Sequence, residues 1–111
     1  MRIESSAKVM KIFVGSSDRW QGQSLWQAIL SLAKKEGLAG ASISQGTAGF
    51  GASARLHTAS LVDLAHDLPV KIEIVDVEER IKPFLQMLDG MLEEALIVIE
   101  DCHVIRYVRG G

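Results

Sequence analysis

The apolar residues fall into alternating and helical runs that predict the order strand, helix, strand, strand, helix, strand, with a further strand at the C-terminus. Residues 7–14 read as the first strand, rich in β-branched and aromatic side chains and closed by Gly15. Met10, Ile12 and Val14 fall on one of its faces, Val9 and Phe13 on the other. Both faces are largely apolar, so both ask for cover, from helices on one side and another subunit on the other. Leu25, Ala28, Ile29 and Leu32 then recur at helical spacing, and Gly37 marks the stop. Ser24 and Gln27 ahead of them have the form of a capping box.

Residues 41–45 predict a strand of small side chains. In residues 70–75, Val70, Ile72 and Ile74 alternate with Lys71 and Glu73. A second helix follows Asp76 as N-cap, with Ile81, Phe84, Leu85, Leu88, Met91 and Leu92 on one stripe. Pro83 lacks an amide proton, so that helix either kinks there or begins near Arg80. Residues 96–99 and 104–108 read as two closing strands. With right-handed crossovers, this order gives an α+β fold, the ferredoxin-like βαββαβ two-layer sandwich: four antiparallel strands with both helices on one face. The other face, with Val9, Phe13 and Val75, is left for an oligomer.

Composition narrows the class. The chain has 111 residues, 48% hydrophobic and 23% charged, with a net charge of −2. That is one domain, 1–111, too apolar for disorder and with no apolar run of about 18 residues to span a membrane. A mildly acidic balance argues against a nucleic-acid partner. The single cysteine, Cys102, suits a reducing compartment, and the first residues have no signal-peptide core, so a cytoplasmic protein is expected.

Glycine is unevenly spread: Gly37, Gly40, Gly46, Gly49 and Gly51 account for five of ten. The last three open residues 46–67, far longer than the hairpin that usually joins these two strands. The first half of this segment is Gly, Ala, Ser and Thr, with Phe50, Arg55 and His57 as its large side chains. Close-approaching amides, hydroxyls and a guanidinium fork are the components of an anion-binding loop. The spacing matches neither a P-loop nor a dinucleotide fingerprint, and the same glycines could simply permit bulges in a long hairpin.

A second reading starts from Lys11-Ile12-Phe13-Val14-Gly15, which resembles the RNP2 segment of RNA recognition motifs, and Gly49-Phe50-Gly51, which resembles part of RNP1. Against an RNA-binding module of that architecture, Ala52 stands where an aromatic belongs and the flanks lack basic residues.

The strings Ile12-Phe13-Val14-Gly15, Ser17-Asp18 with Trp20, Gly37-Leu38-Ala39-Gly40-Ala41, Gly49-Phe50-Gly51-Ala52, Leu56-His57-Thr58-Ala59 and Asp67-Leu68-Pro69-Val70 followed by Ile72-Glu73-Ile74-Val75-Asp76 cover most of the chain. On these the sequence resembles the PII-like proteins of domain-of-unknown-function family 190. Two positions depart from that pattern. Ser16 stands where an acidic residue is common, and Gln45 where Arg is common. The resemblance implies a non-enzymatic regulatory protein: a homotrimer with sheets facing inward and a small anionic ligand, such as a nucleotide, in clefts between subunits. The long loop would report occupancy to a partner. Members often occur beside fluoride-channel genes, which suggests a membrane channel or transporter. Carried onto this chain, the ligand-binding candidates are Gly49, Gly51, Ser53, Arg55 and His57; no metal is implied.

Other residues read as structural. His66 could be a ligand but reads as an ordinary surface residue, and Cys102-His103 could give two metal ligands that only His57 or His66 could join, where a site needs three or four. Asp18, Arg19 and Trp20 lie at a strand's carboxyl end and either touch ligand or pack the loop. Met10, Met87 and Met91 fill core or interface, Glu78-Glu79 and Glu93-Glu94 belong to helix faces, and Arg106, Arg109 and the last glycines form a solvated tail.

Overall fold

The computed structural model describes residues 1–50, 57–58 and 67–110. A four-stranded antiparallel sheet runs in the order β4 (Gly40–Gln45), β7 (Pro69–Asp76), β1 (Arg2–Gly15), β8 (Leu96–Tyr107). Helix α1 (Leu25–Lys35) connects β1 to β4, and α2 (Glu78–Leu88) connects β7 to β8. This is the ferredoxin-like α+β sandwich that the apolar pattern predicts. Two short ribbons stand outside the sheet: β2 (Arg19–Trp20) with β3 (Gln23–Ser24), and β5 (Ala48–Gly49) with β6 (His57–Thr58).

Strand alternation decides what the core contains. Met10, Ile12 and Val14 of β1 sit opposite Ile74, Ile72 and Val70 of β7, and all six are buried. Leu25, Ile29 and Ala33 of α1 and Ile81, Phe84 and Leu88 of α2 close over them. Each large side chain buried there contributes about 1.5–3 kcal/mol before entropy is counted. On the opposite face Val9, Lys11 and Phe13 remain partly exposed, and Leu96 and Val98 of β8 are exposed. The uncovered face is therefore present in the isolated subunit.

Both helix starts differ from the sequence reading. Ser24 is the N-cap of α1, but its hydroxyl makes no capping bond. The Leu25 amide donates instead to the Asp18 carbonyl (2.8 Å), which the β2–β3 hairpin brings alongside. Helix α2 is capped by Val77, not Asp76, and runs through Pro83. Pro83 is on the exposed side, where water can serve the carbonyl left without its amide.

The Asp76 carboxylate is occupied elsewhere. It accepts from the amides of Ala39 (2.9 Å) and Val77 (2.7 Å) and from Arg80 Nε (3.0 Å). Arg80 also donates to the carbonyls of Glu36 (2.6 Å) and Gly37 (2.9 Å), joining the end of α1 to the start of α2. Gly37 ends α1 with φ +70°, the left-handed turn predicted for it. Its amide donates to Lys34 and that of Leu38 to Ala33, the paired bonds of a Schellman motif.

The C-terminus also departs from expectation. The two closing segments are one strand, β8, paired with β1 from Arg2↔Tyr107 to Phe13↔Leu96. Glu100, Asp101 and His103 interrupt the apolar pattern without interrupting the ladder, because backbone pairing needs no apolar side chain. Arg106 thus lies in a strand opposite Ile3, and Met1 and Val108 exchange backbone bonds. Helix α2 stops at Leu88, so Glu93 and Glu94 lie on the connection to β8 and not on a helix face.

Candidate ligand cleft at the strand ends

Gly15, at the carboxyl end of β1, is wedged between two carboxylates. Asp18 Oδ2 accepts from the Gly15 amide (2.9 Å), and Asp67 Oδ1 accepts from the Ser17 amide (3.3 Å). A Cβ at position 15 would lie 2.4 Å from Asp67 Oδ1 and 3.2 Å from Asp18 Oδ1, so any side chain there must push the Asp67 carboxylate aside. Ser16 holds the adjoining backbone twice. Its amide donates to the Leu68 carbonyl and its Oγ accepts from the Leu68 amide, both at 2.8 Å. At the other end of the long segment, the Gly46 amide donates to the Pro69 carbonyl (2.8 Å). Both ends of residues 46–67 are therefore fastened beside the end of β1.

A cleft of about 720 Å³ opens here, within the range of small-molecule sites. Its walls come from the ends of β1, β4 and β7, the turn at Asp18–Trp20 and the α2–β8 connection. Phe13, Trp20 and Phe50 supply rings, and Phe50 is 72% exposed at the rim. The described walls carry four carboxylates (Asp18, Asp67, Glu93, Glu94) against two cations, Arg19 and Lys71. Both cations have partners: Arg19 donates to the Gly22 carbonyl (2.6 Å), and Lys71 pairs with Glu73 (2.9 Å). That pairing, first through its hydrogen bond, lowers the Glu73 pKa from its ordinary 4.5.

Of the residues that the sequence singled out, Gly49 lines this cleft, and the His57 backbone pairs with it across β5 and β6. Gly51, Ser53, Arg55 and His66 lie outside the described residues. Asp18, Arg19 and Trp20 both pack the turn and line the cleft. Sequence reasoning passed over Phe13, Ser44, Glu93 and Glu94 as cleft residues; their common signal is position at the same end of the sheet. Cys102 and His103 are neighbours on β8 and point to opposite faces, with His103 Nε2 2.9 Å from Glu4 Oε1. Among the described residues, no group of three or more His, Cys, Asp or Glu is placed to hold a metal ion, and no helix is long and apolar enough to cross a membrane.

The RNP-like strings do not form an RNA-binding platform here. Phe13 lies on central strand β1, but Phe50 follows β5, outside the four-stranded sheet, and does not lie on the other central strand, β7.

The pattern of the DUF190 family (Uncharacterized ACR) matches residues 7–104. The chain belongs to this family. A UPF0166 protein of Aquifex aeolicus is 36% identical over 98 residues, 88% of this chain and 92% of the relative. A UPF0166 protein of Methanocaldococcus jannaschii is 35% identical over 101 residues, covering 90% and 93%. Among solved structures, the fold resembles CPII from Thiomonas intermedia bound to ADP and bicarbonate, with TM-score 0.68 and 18% identity over 92% of this chain and 91% of that one. It also resembles a putative PII-like signaling protein from Thermus thermophilus, with TM-score 0.63 and 18% identity over 91% of both. This DUF190 chain thus has a PII-like fold.

Proposed function

We propose that this DUF190 protein is a non-enzymatic, cytoplasmic PII-like signalling module. It binds a small anionic ligand, a nucleotide, in clefts between the subunits of a homotrimer. Residues 46–67 report occupancy to a partner, a membrane channel or transporter such as a fluoride channel. The observation that carries this reading is the cleft at the base of the long segment, whose first end is tied to Pro69 of β7 and whose last end is tied to Ser16 and Ser17 beyond β1. A ligand there touches the anchored ends of residues 46–67, so differential contact with those ends is the means by which occupancy is passed to the segment. The similar CPII structures hold ADP with bicarbonate, and ADP, AMP and acetate, which supports a nucleotide as the ligand class.

Charge sharpens the assignment. The described walls have more carboxylates than cations and both cations are engaged, so a phosphate needs its positive partners from elsewhere. Arg55, with the amides and hydroxyl of Gly49, Gly51 and Ser53, and His57 are assigned that role. The uncovered face with Val9, Phe13, Leu96 and Val98 supports assembly with the sheets inward.

Light scattering and a thermal-shift titration with ADP, AMP and bicarbonate test the reading. A trimer whose Tm rises saturably with one of them, and an Arg55→Ala variant that loses the rise, is the expected result. A monomer unmoved by every ligand would overturn it.

A further inference from the structure

Strand β1 outruns its helical cover. Strand β7 pairs with it only from Lys8 to Gly15, so Arg2–Ala7 has a single neighbour, the end of β8 from Cys102 to Tyr107. The result is a two-stranded ribbon projecting past the sandwich, and such a ribbon is marginal in water unless it packs on something.

Its two sides differ. Lys8 shares a side with Met10 and Ile12, which face the helices, and alternation puts Arg2, Glu4 and Ser6 there too. That side holds the ion pairs Arg2–Glu4 (2.7 Å) and Lys8–Asp101 and the contact of His103 Nε2 with Glu4 (2.9 Å), beside Ile105 and Tyr107. The other side carries Ile3, Ser5, Ala7, Cys102 and Val104, with Arg106 as its one charge, and continues directly into the uncovered face with Val9, Phe13, Leu96 and Val98.

Size favours using both parts together. At about 3.3 Å per residue and about 4.8 Å between strands, the four-stranded face offers roughly 500 Å², and the ribbon adds roughly 200 Å². A stable interface takes about 800 Å² from each partner, which the sheet alone misses and the two together approach. We propose that the ribbon is an intersubunit arm, laying Ile3, Cys102 and Val104 against the sheet of a neighbouring copy of this chain. The inference rests on the assembly proposed above and names the part of the chain that completes it.

The test uses the full chain and its single cysteine as a reporter. Cys102 is only partly covered in the isolated subunit, so it should react freely there and slowly when the arm is docked. Val104→Lys and Ile3→Lys should each weaken assembly by at least about tenfold in light scattering and speed Cys102 alkylation by about the same factor. Ile105→Lys, on the other side of the ribbon, should do neither. Circular dichroism checks that each variant folds; if one does not, the other variant and the wild-type alkylation rate on dilution decide. A wild-type trimer whose Cys102 reacts at the rate of a free thiol, or folded lysine variants that assemble normally, would overturn the arm and leave the trimer standing. A wild-type monomer would overturn both.

Discussion

Gly15 and Asp67 lie against each other, with Asp67 Oδ1 occupying the space into which a side chain at position 15 would project. Because Asp67 begins the return into β7, this contact couples the end of the first strand to the end of the long segment. Gly15→Ala should therefore cost about 1–3 kcal/mol, the usual range for forcing an extra methyl into a filled site. It should also weaken nucleotide binding, since the cleft wall must shift. Urea denaturation reads the first effect and calorimetric titration the second. Adding Asp67→Ala should restore part of the lost stability, a non-additivity expected only if the two groups collide.

Asp76 and Arg80 make a separate joint, far from the cleft. Asp76 is 8% exposed and serves two backbone amides besides Arg80. Asp76→Ala strands those amides and should cost about 2–4 kcal/mol. Arg80 is about half exposed, and Arg80→Ala should cost less, about 1–2 kcal/mol, through its bonds to the Glu36 and Gly37 carbonyls. Urea curves of the two single variants and the double variant should show an effect below the sum of the singles. Ligand binding should be unchanged in Arg80→Ala.

The sheet and both helices were legible because Ile72, Ile74, Phe84 and Leu88 repeat with the period of the element that buries them. What escaped the pattern was set by backbone geometry. Asp76 looks like an N-cap in sequence, yet the sheet places the start of α2 against the end of α1, and the carboxylate serves that joint. The continuity of β8 through Glu100-Asp101-Cys102-His103 was invisible for the same reason: ladder pairing carries no hydrophobic signature. For the cleft, the glycine-rich start of the long segment pointed to Gly49, but Phe13, Glu93 and Glu94 are distant in sequence and meet only at the strand ends. Ser16 has a role that sequence alone could not assign, its two hydrogen bonds to the Leu68 backbone.

Gln45 lies at the end of β4 on the cleft wall, among described residues where carboxylates outnumber cations. Gln45→Arg would place a cation on that wall. The variant should bind ADP about threefold to tenfold more tightly, as a charge-assisted bond to phosphate would give. Adenosine, which lacks phosphate, should bind equally to both proteins. Calorimetry with the two ligands separates a phosphate contact from a general change of cleft shape; equal gains for both would argue for the latter.

Charge pairs on the uncovered face should make the proposed assembly sensitive to pH. Lys11 is raised above its ordinary 10.5 chiefly by its hydrogen bond to Glu100, and Glu73 is lowered below 4.5 chiefly by Lys71. A raised lysine contributes fully below its unfolded value, and that contribution is lost as pH climbs through the higher folded value. A lowered glutamate contributes above its unfolded value and is lost as pH falls through the lower folded one. Stability should thus be flat between these limits and fall at both ends. In the isolated subunit the effect should be small and largely removed by salt, because all four groups reach water. In the proposed sheet-to-sheet assembly the same pairs would be shielded, so breaking one would leave a charge in poorer solvent. The proposed trimer should weaken as pH climbs past 10.5 toward the raised Lys11 value, at concentrations where it persists at neutral pH, and Lys11→Met should lower that dependence without unfolding the subunit. Light scattering against pH, with circular dichroism on the same samples, checks it. A trimer indifferent to pH across both limits would place the interface away from Lys11 and Glu73.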